Sequence, residues 1–419
     1  MNVGNESRAT LADRVDHWLA ALRIDAECVA ATQYLEINLT LSCGEFERTV
    51  CLGAEDSTAA VIRARIGLSA PGTIWEEILC PVPRPGRNSF GALQRQCSEF
   101  HVDADPLDIA RALHVLERAF EIAHELEPNQ NSDDAQYTTE ALSQVTGRHS
   151  MVRCKKSSAR IFYEHSGTGT PLVMLHTAGS DSRQYLDMLI QPRITDDWSC
   201  YAFDMPLHGR SSPSSDWAWG KYRLTMSEYI DWCLAFIEQV VGEPAVVLGC
   251  SMGASISIAL AATKSDLVKA VVALEAPDKS PGRLNPYLNH PAVNSAEYNS
   301  AYVRGLMSPT SPLKKRQYAS WVYSQGGPGI YAGDLWFYSE EYNGLDLAPQ
   351  IDTTRCPVHL LTGAYDYSGS PEATQRLHEA IPGSSLTIMP ELGHFPMTED
   401  PARFLKYLAP VLDTLRPGS

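Results

Sequence analysis

Leu11, Val15, Trp18, Leu19 and Leu22 recur at intervals of three and four, the spacing of one helix face. Leu35, Ile37, Leu39 and Leu41 then alternate with Glu36, Asn38 and Thr40, the period-two pattern of a half-buried strand. Cys43-Gly44 supplies a turn, and Phe46, Arg48, Val50 and Leu52 predict the returning strand of a hairpin. Ile62, Ala64, Ile66 and Leu68 form a third alternating run. Asp105 reads as an N-cap with Pro106 at the first helical position, followed by the apolar stripe Ile109, Leu113, Leu116 and Phe120. Residues 1–126 are therefore expected to form a small α+β domain. Residues 127–149 are polar, opening Glu-Pro-Asn-Gln-Asn-Ser-Asp-Asp, and are expected to be a linker with room for a short helix.

From about residue 150 the pattern changes. Short apolar runs at Arg160–His165, Leu172–His176, Cys200–Asp204, Ala245–Gly249, Ala270–Glu275, Val358–Thr362 and Ser385–Met389 alternate with helical segments. Near-continuous Val, Leu and Ile marks strands buried on both faces of a parallel sheet, and the alternation marks a doubly wound α/β fold. The rhythm breaks at 277–350, which has no clear buried strand and carries eleven aromatic residues. That stretch is expected to be a helical cap inserted into a core made of 150–276 and 351–419.

Composition narrows the function. The 419 residues are 44% hydrophobic and 20% charged, ordinary for a globular chain, with a formal net charge of −16. That charge argues against nucleic acid or an anionic membrane surface as the main partner. Residues 1–20 are polar with scattered charges, unlike a secretory signal. The ten cysteines form no C-x-x-C pair and show no zinc-ligand spacing with histidine, so reduced cysteines in a cytoplasmic protein without a metal site are expected. The longest uncharged run, Pro244–Thr263, is broken by Gly249, Ser251, Gly253, Ser255 and Ser257, and predicts a strand, a turn and a helix rather than a membrane span.

Inside that run lies Gly249-Cys250-Ser251-Met252-Gly253, a G-x-S-x-G sequence. The apolar strand before it and the small-residue helix after it are the context a nucleophile elbow requires. A serine hydroxyl needs a base. With the chain order Ser, acid, His, the candidates are Asp366, just past a late strand, and His394, after the last strand. Glu275 and Asp278 are the rival acids. An oxyanion hole needs an amide from the residue after the nucleophile and one from an earlier strand end. Met252 and Ala178 are assigned, with Thr177 the fallback, and His176 is expected to order that loop.

These motifs resemble the α/β-hydrolase fold with a cap domain. The matching stretches are His176-Thr177-Ala178, Phe203-Asp204-Met205-Pro206-Leu207-His208-Gly209-Arg210-Ser211, Gly249–Gly253, Thr362–Asp366 and Gly393-His394. The second resembles the D-x-P-G-x-G-x-S loop of that family, with Leu207 where glycine is usual. Thr177 also stands where the family commonly has glycine. The resemblance implies a Ser-His-Asp hydrolase without cofactor, of carboxylesterase or lactonase type. The expected reaction is cleavage of an ester, lactone or thioester of a mainly apolar small molecule. Two alternatives keep the fold: cleavage of a carbon–carbon bond beside a ketone, as in meta-cleavage-product hydrolases, and a ligand-binding or receptor role. The aromatics Trp321, Tyr323, Trp336 and Tyr338, with His176 and Thr177, are expected to line the pocket. In residues 1–126 the hairpin, Trp75-Glu76-Glu77-Ile78 and the Asp105-Pro106 helix resemble sterol-carrier-protein-2-like domains. The role carried forward for them is accessory, in homodimerisation or in covering the site.

Overall fold

A computed structural model describes residues 9–53, 62–125, 137–220 and 222–416. The chain divides into two compact units, Met1–Asn131 with Ala292–Asn294, and the remainder from Ser132.

The first unit holds a four-stranded sheet of β1 (Leu35–Cys43), β2 (Phe46–Leu52), β3 (Ile62–Ser69) and β4 (His101–Ala104), in the order β2-β1-β3-β4. The alternation that predicted β1 is visible in its burial, with Leu35, Ile37, Leu39 and Leu41 inside. Trp18, Trp75, Phe90, Phe100 and Phe120 meet in a chain of ring contacts beneath the sheet, and the Trp18 indole N–H donates to the Ala119 carbonyl at 2.7 Å. The helix Pro106–Glu125 starts where expected, with the Asp105 carboxylate accepting the Leu107 amide. β4 has four residues and none of them is buried, so it lacked the apolar alternation that would have announced it.

The second unit is an eight-stranded sheet of β5 (Thr146–Cys154), β6 (Ser157–Ser166), β7 (Thr170–Leu175), β8 (Trp198–Phe203), β9 (Ala245–Cys250), β10 (Val268–Leu274), β11 (Val358–Gly363) and β12 (Ser385–Met389). Their order is β12-β11-β10-β9-β7-β8-β6-β5, parallel from β8 to β12 and antiparallel at β6 and β5. Seven of these strands fall on the expected runs. The eighth, β5, overlaps the expected linker. Residues 127–136 lie outside the described residues, but 137–149 contain the helix Thr139–Ser143 and the start of β5, which corrects the linker's far end. β5 is an edge strand whose first residues face solvent on both sides, so its sequence is polar and reads as a loop.

β8 lies on one side of β7 and β9 on the other. That reversal opens a crevice at the carboxyl ends of the strands, where α/β folds place their ligands. Between β10 and β11 the described residues form helices only, chiefly Ser295–Arg304, Leu313–Tyr323 and Ile330–Trp336.

Candidate active site

β7 and β9 pair in parallel register, Leu175 beside Gly249, so Thr177, Ala178 and Ser251 emerge next to one another. The stretch Pro244–Thr263 is strand β9, a one-residue turn at Ser251, and the helix Met252–Ala262. Ser251 has φ 56° and ψ −115°, a strained conformation for a residue with a Cβ. The two glycines of the motif have steric causes. A Cβ on Gly249 would lie 2.1 Å from the Gly253 carbonyl oxygen, and one on Gly253 would lie 2.3 Å from that of Leu175.

His394 follows β12, and Asp366 follows β11. The His394 Nδ1–H donates to Asp366 Oδ2 at 2.6 Å. Asp366 also accepts the amides of Ser368 at 2.6 Å and Gly369 at 3.0 Å, which fix its orientation. The Cys250 thiol donates to the His394 carbonyl at 3.2 Å, tying the elbow to the histidine loop. With Nδ1 occupied, Nε2 is the ring nitrogen without a protein partner among the described residues. An imidazole oriented this way can take a proton from a hydroxyl and pass it on.

Neither rival acid touches His394 among the described residues. Asp278 is paired with Arg376 at 2.7 Å. Glu275 lies beneath the site, fully buried, accepting the Gly363 amide at 2.9 and 3.0 Å on its two oxygens. Burial, reinforced by the neighbouring Asp366, raises its carboxyl pKa well above the ordinary range.

In the loop after β7 the three successive amides differ. Thr177 N–H donates to Gln184 Oε1 at 3.1 Å, and Gly179 N–H to Asp334 Oδ2 at 2.7 Å. Ala178 N–H and Met252 N–H have no protein partner among the described residues, and they follow strands that pair side by side. Thr177, the fallback donor, is thus already engaged. Its hydroxyl meets the Tyr323 hydroxyl and Gln184. His176 Nδ1–H donates to the Thr177 carbonyl at 2.9 Å, and its Nε2 accepts the Met205 amide at 3.2 Å. Burial and the adjacent His208 hold its pKa down at about 4, so the ring is neutral and binds the loop together.

The cap supplies Asp334, which sequence reasoning missed. Its carboxylate accepts from Gly179 N–H, from the half-buried Tyr222 hydroxyl at 2.6 Å and from His208 Nε2 at 2.8 Å, with Asp334 and His208 both fully buried. Burial pulls the His208 imidazole down, but the Asp334 charge and hydrogen bond outweigh it and raise its pKa. The same pairing, against its own burial, lowers Asp334. A single acid inside the apolar helix Ile330–Trp336 was the available signal. In the neighbouring loop, Leu207 adopts φ 74° at the position where the resembling motif has glycine.

The four expected pocket aromatics separate into two pairs. Tyr323 and Tyr338 are buried, and the Tyr338 hydroxyl lies beside Ser251, Ser280 and Ser368 without a well-aligned hydrogen bond. Trp321 is 45% exposed, against Tyr318 and Arg183. Trp336 lines a cleft of about 320 Å³ with Trp217, Tyr222 and Arg223, whose walls do not include Ser251 or His394. Among the described residues, no group of three or more His, Cys, Asp or Glu is arranged to hold a metal ion.

Residues 172–406, more than half of the chain, match the model of the alpha/beta hydrolase family, and the chain belongs to that family. A relative from Acinetobacter baylyi, (E)-2-((N-methylformamido)methylene)succinate hydrolase, is 23% identical over 54% of this chain and 84% of its own length. Among solved structures, an esterase from Thermogutta terrifontis superposes with a TM-score of 0.53 at 18% identity, covering 64% of this chain and 100% of that one. The enol-lactonase from Burkholderia xenovorans LB400 superposes at 0.54 and 17% identity, covering 63% and 100%. No helix among the described residues is long and apolar enough to cross a membrane.

Proposed function

We propose that this chain is a cofactor-independent serine hydrolase that cleaves an ester, lactone or thioester of a small molecule through an acyl-enzyme on Ser251. The observation that carries the reading is the strained Ser251 turn, tied by the Cys250 thiol to the histidine loop that holds the His394–Asp366 pair. The named activities of the relatives, an esterase, an enol-lactonase and a hydrolase of a succinate derivative, agree with it.

In this reading His394 Nε2 takes the Ser251 proton as the serine oxygen attacks the carbonyl carbon. The negative charge that develops on the carbonyl oxygen is met by the free amides of Met252 and Ala178, which need no reorganisation. Asp366 keeps the imidazole in the tautomer that leaves Nε2 as base, and stabilises the imidazolium. His394 then protonates the leaving group, and the same base activates water to release the acid. Residues 1–126 act as an accessory domain.

A fluorophosphonate probe is expected to label the protein at Ser251 and nowhere else, and Ser251→Ala to lose both labelling and ester hydrolysis, with about a 10⁴–10⁶-fold fall in rate. Labelling that survives in Ser251→Ala, or retention of more than about a tenth of the activity, would remove Ser251 from the role.

A further inference from the structure

Arg283 is 2% exposed, in the segment that follows β10. Its Nη2 donates to the Tyr331 hydroxyl at 3.3 Å, and its guanidinium covers the Tyr302 ring at 4.2 Å. Its Nη1 has no hydrogen-bond partner, and among the described residues no carboxylate pairs with it. Two other buried basic side chains of this unit are paired with carboxylates. Lys315 meets Asp187 at 2.7 Å, and His208 meets Asp334 at 2.8 Å. A buried cation without a counter-charge is costly, and one stacked tyrosine ring offsets only part of that cost.

Two neighbouring tyrosines relate this guanidinium to the Ser251 site. Tyr331, its hydrogen-bond partner, packs on the loop after β7 so closely that a Cβ on Gly179 would fall 2.6 Å from its ring. Tyr338, another of the tyrosines around Arg283, carries the hydroxyl that lies beside Ser251.

We propose that Arg283 receives a free carboxylate carried by the substrate, so that the acyl compound cleaved at Ser251 is itself an acid. This rests on the hydrolase reading above and names its substrate class. The unpaired Nη1 would donate to one carboxylate oxygen, and tyrosine hydroxyls can donate to the other. One cation among neutral hydroxyls matches a singly charged carboxylate better than a phosphate dianion, which calls for more positive charge. The aromatic walls then contact the apolar body of the substrate, and its two ends are fixed at once by Arg283 and by Ser251 with its oxyanion amides.

The test compares kcat/KM for mono-4-nitrophenyl glutarate with that for 4-nitrophenyl valerate, a neutral ester of similar length. Wild type should favour the acid ester at least about tenfold, and Arg283→Gln should collapse that ratio by about 30-fold or more, with Arg283→Lys between the two. A wild-type ratio below one, or a ratio unchanged in Arg283→Gln, overturns the proposal. Glutarate binding to Ser251→Ala, measured by calorimetry against glutaramide, decides the point without turnover and without an Arg283 variant that must fold. Binding of glutarate but not of glutaramide supports the carboxylate site, and equal binding or no binding of glutarate contradicts it. Failure of the hydrolase reading is seen separately, as absent ester hydrolysis and absent Ser251 labelling.

Discussion

Two carboxyl groups lie close to each other near His394, and only that of Asp366 is hydrogen-bonded to its ring. Asp366 accepts the imidazole N–H and two amides, while the buried Glu275 has its carboxyl pKa raised and both oxygens on the Gly363 amide. Asp366→Asn is expected to lower kcat by about 10³–10⁴-fold, because the amide favours the wrong imidazole tautomer. Glu275→Gln keeps the shape of the side chain and an oxygen to accept the Gly363 amide, and should cost less than about tenfold. Steady-state kinetics on a 4-nitrophenyl ester checks both, and a larger loss in Glu275→Gln would mean that the acid has been misassigned. That Asp366 and His394 could meet was legible in the sequence, because each lies just past a late strand in a fixed chain order. Arg283 was not, since it lies between Pro281 and Pro286 in a stretch with no periodicity, and what marks it is a buried Nη1 without a partner among the described residues.

At the scale of elements, the cap helix Ile330–Trp336 and the loops after β7 and β8 are joined through one carboxylate. Asp334 holds Gly179, and thereby the position of the Ala178 amide, while pairing with His208. The His208 pKa is raised in the folded state, so the pair's contribution is complete below the unfolded histidine value of about 6.5 and is lost as pH rises through the raised value. The lowered Asp334 keeps its share down to acid pH. The melting temperature of wild type should therefore exceed that of His208→Gln by more at pH 6 than at pH 9, and a gap that is constant or widens with pH would refute the ion pair. The strands of this unit could be read because parallel strands buried on both faces are continuous apolar runs. β4 and β5 could not, because β4 has no buried position and the first residues of β5 are exposed, so neither carries an apolar pattern over those residues. Leu207 is a different case: the loop keeps the left-handed backbone that glycine would supply and accepts leucine there at a cost of about 1–2 kcal/mol.

For the whole molecule, the second unit contains the complete eight-stranded sheet, all residues assigned to chemistry and Arg283. A chain beginning at Ser132 is expected to fold and to keep kcat on small esters within about threefold of the full protein, because no reacting group is missing from it. Inactivity of a chain that melts cooperatively would show that the first unit contributes to the site. The division into an α+β and an α/β part was visible in the change from alternating to continuous apolar runs. The composition of 277–350 announced a cap rich in aromatics, but it could not tell Tyr323 and Tyr338, which face inward, from Trp321 and Trp336, which do not. That distinction depends on which helix face meets the sheet.

The central claim is that hydrolysis passes through an acyl group on the Ser251 oxygen. Rapid mixing with a 4-nitrophenyl ester measures it most directly. The account predicts a burst of about one nitrophenolate per chain, with intact mass raised by one acyl group that peptide mapping places on Ser251. Turnover without a burst, with no acyl adduct on quenching and with activity retained in Ser251→Ala, would contradict it.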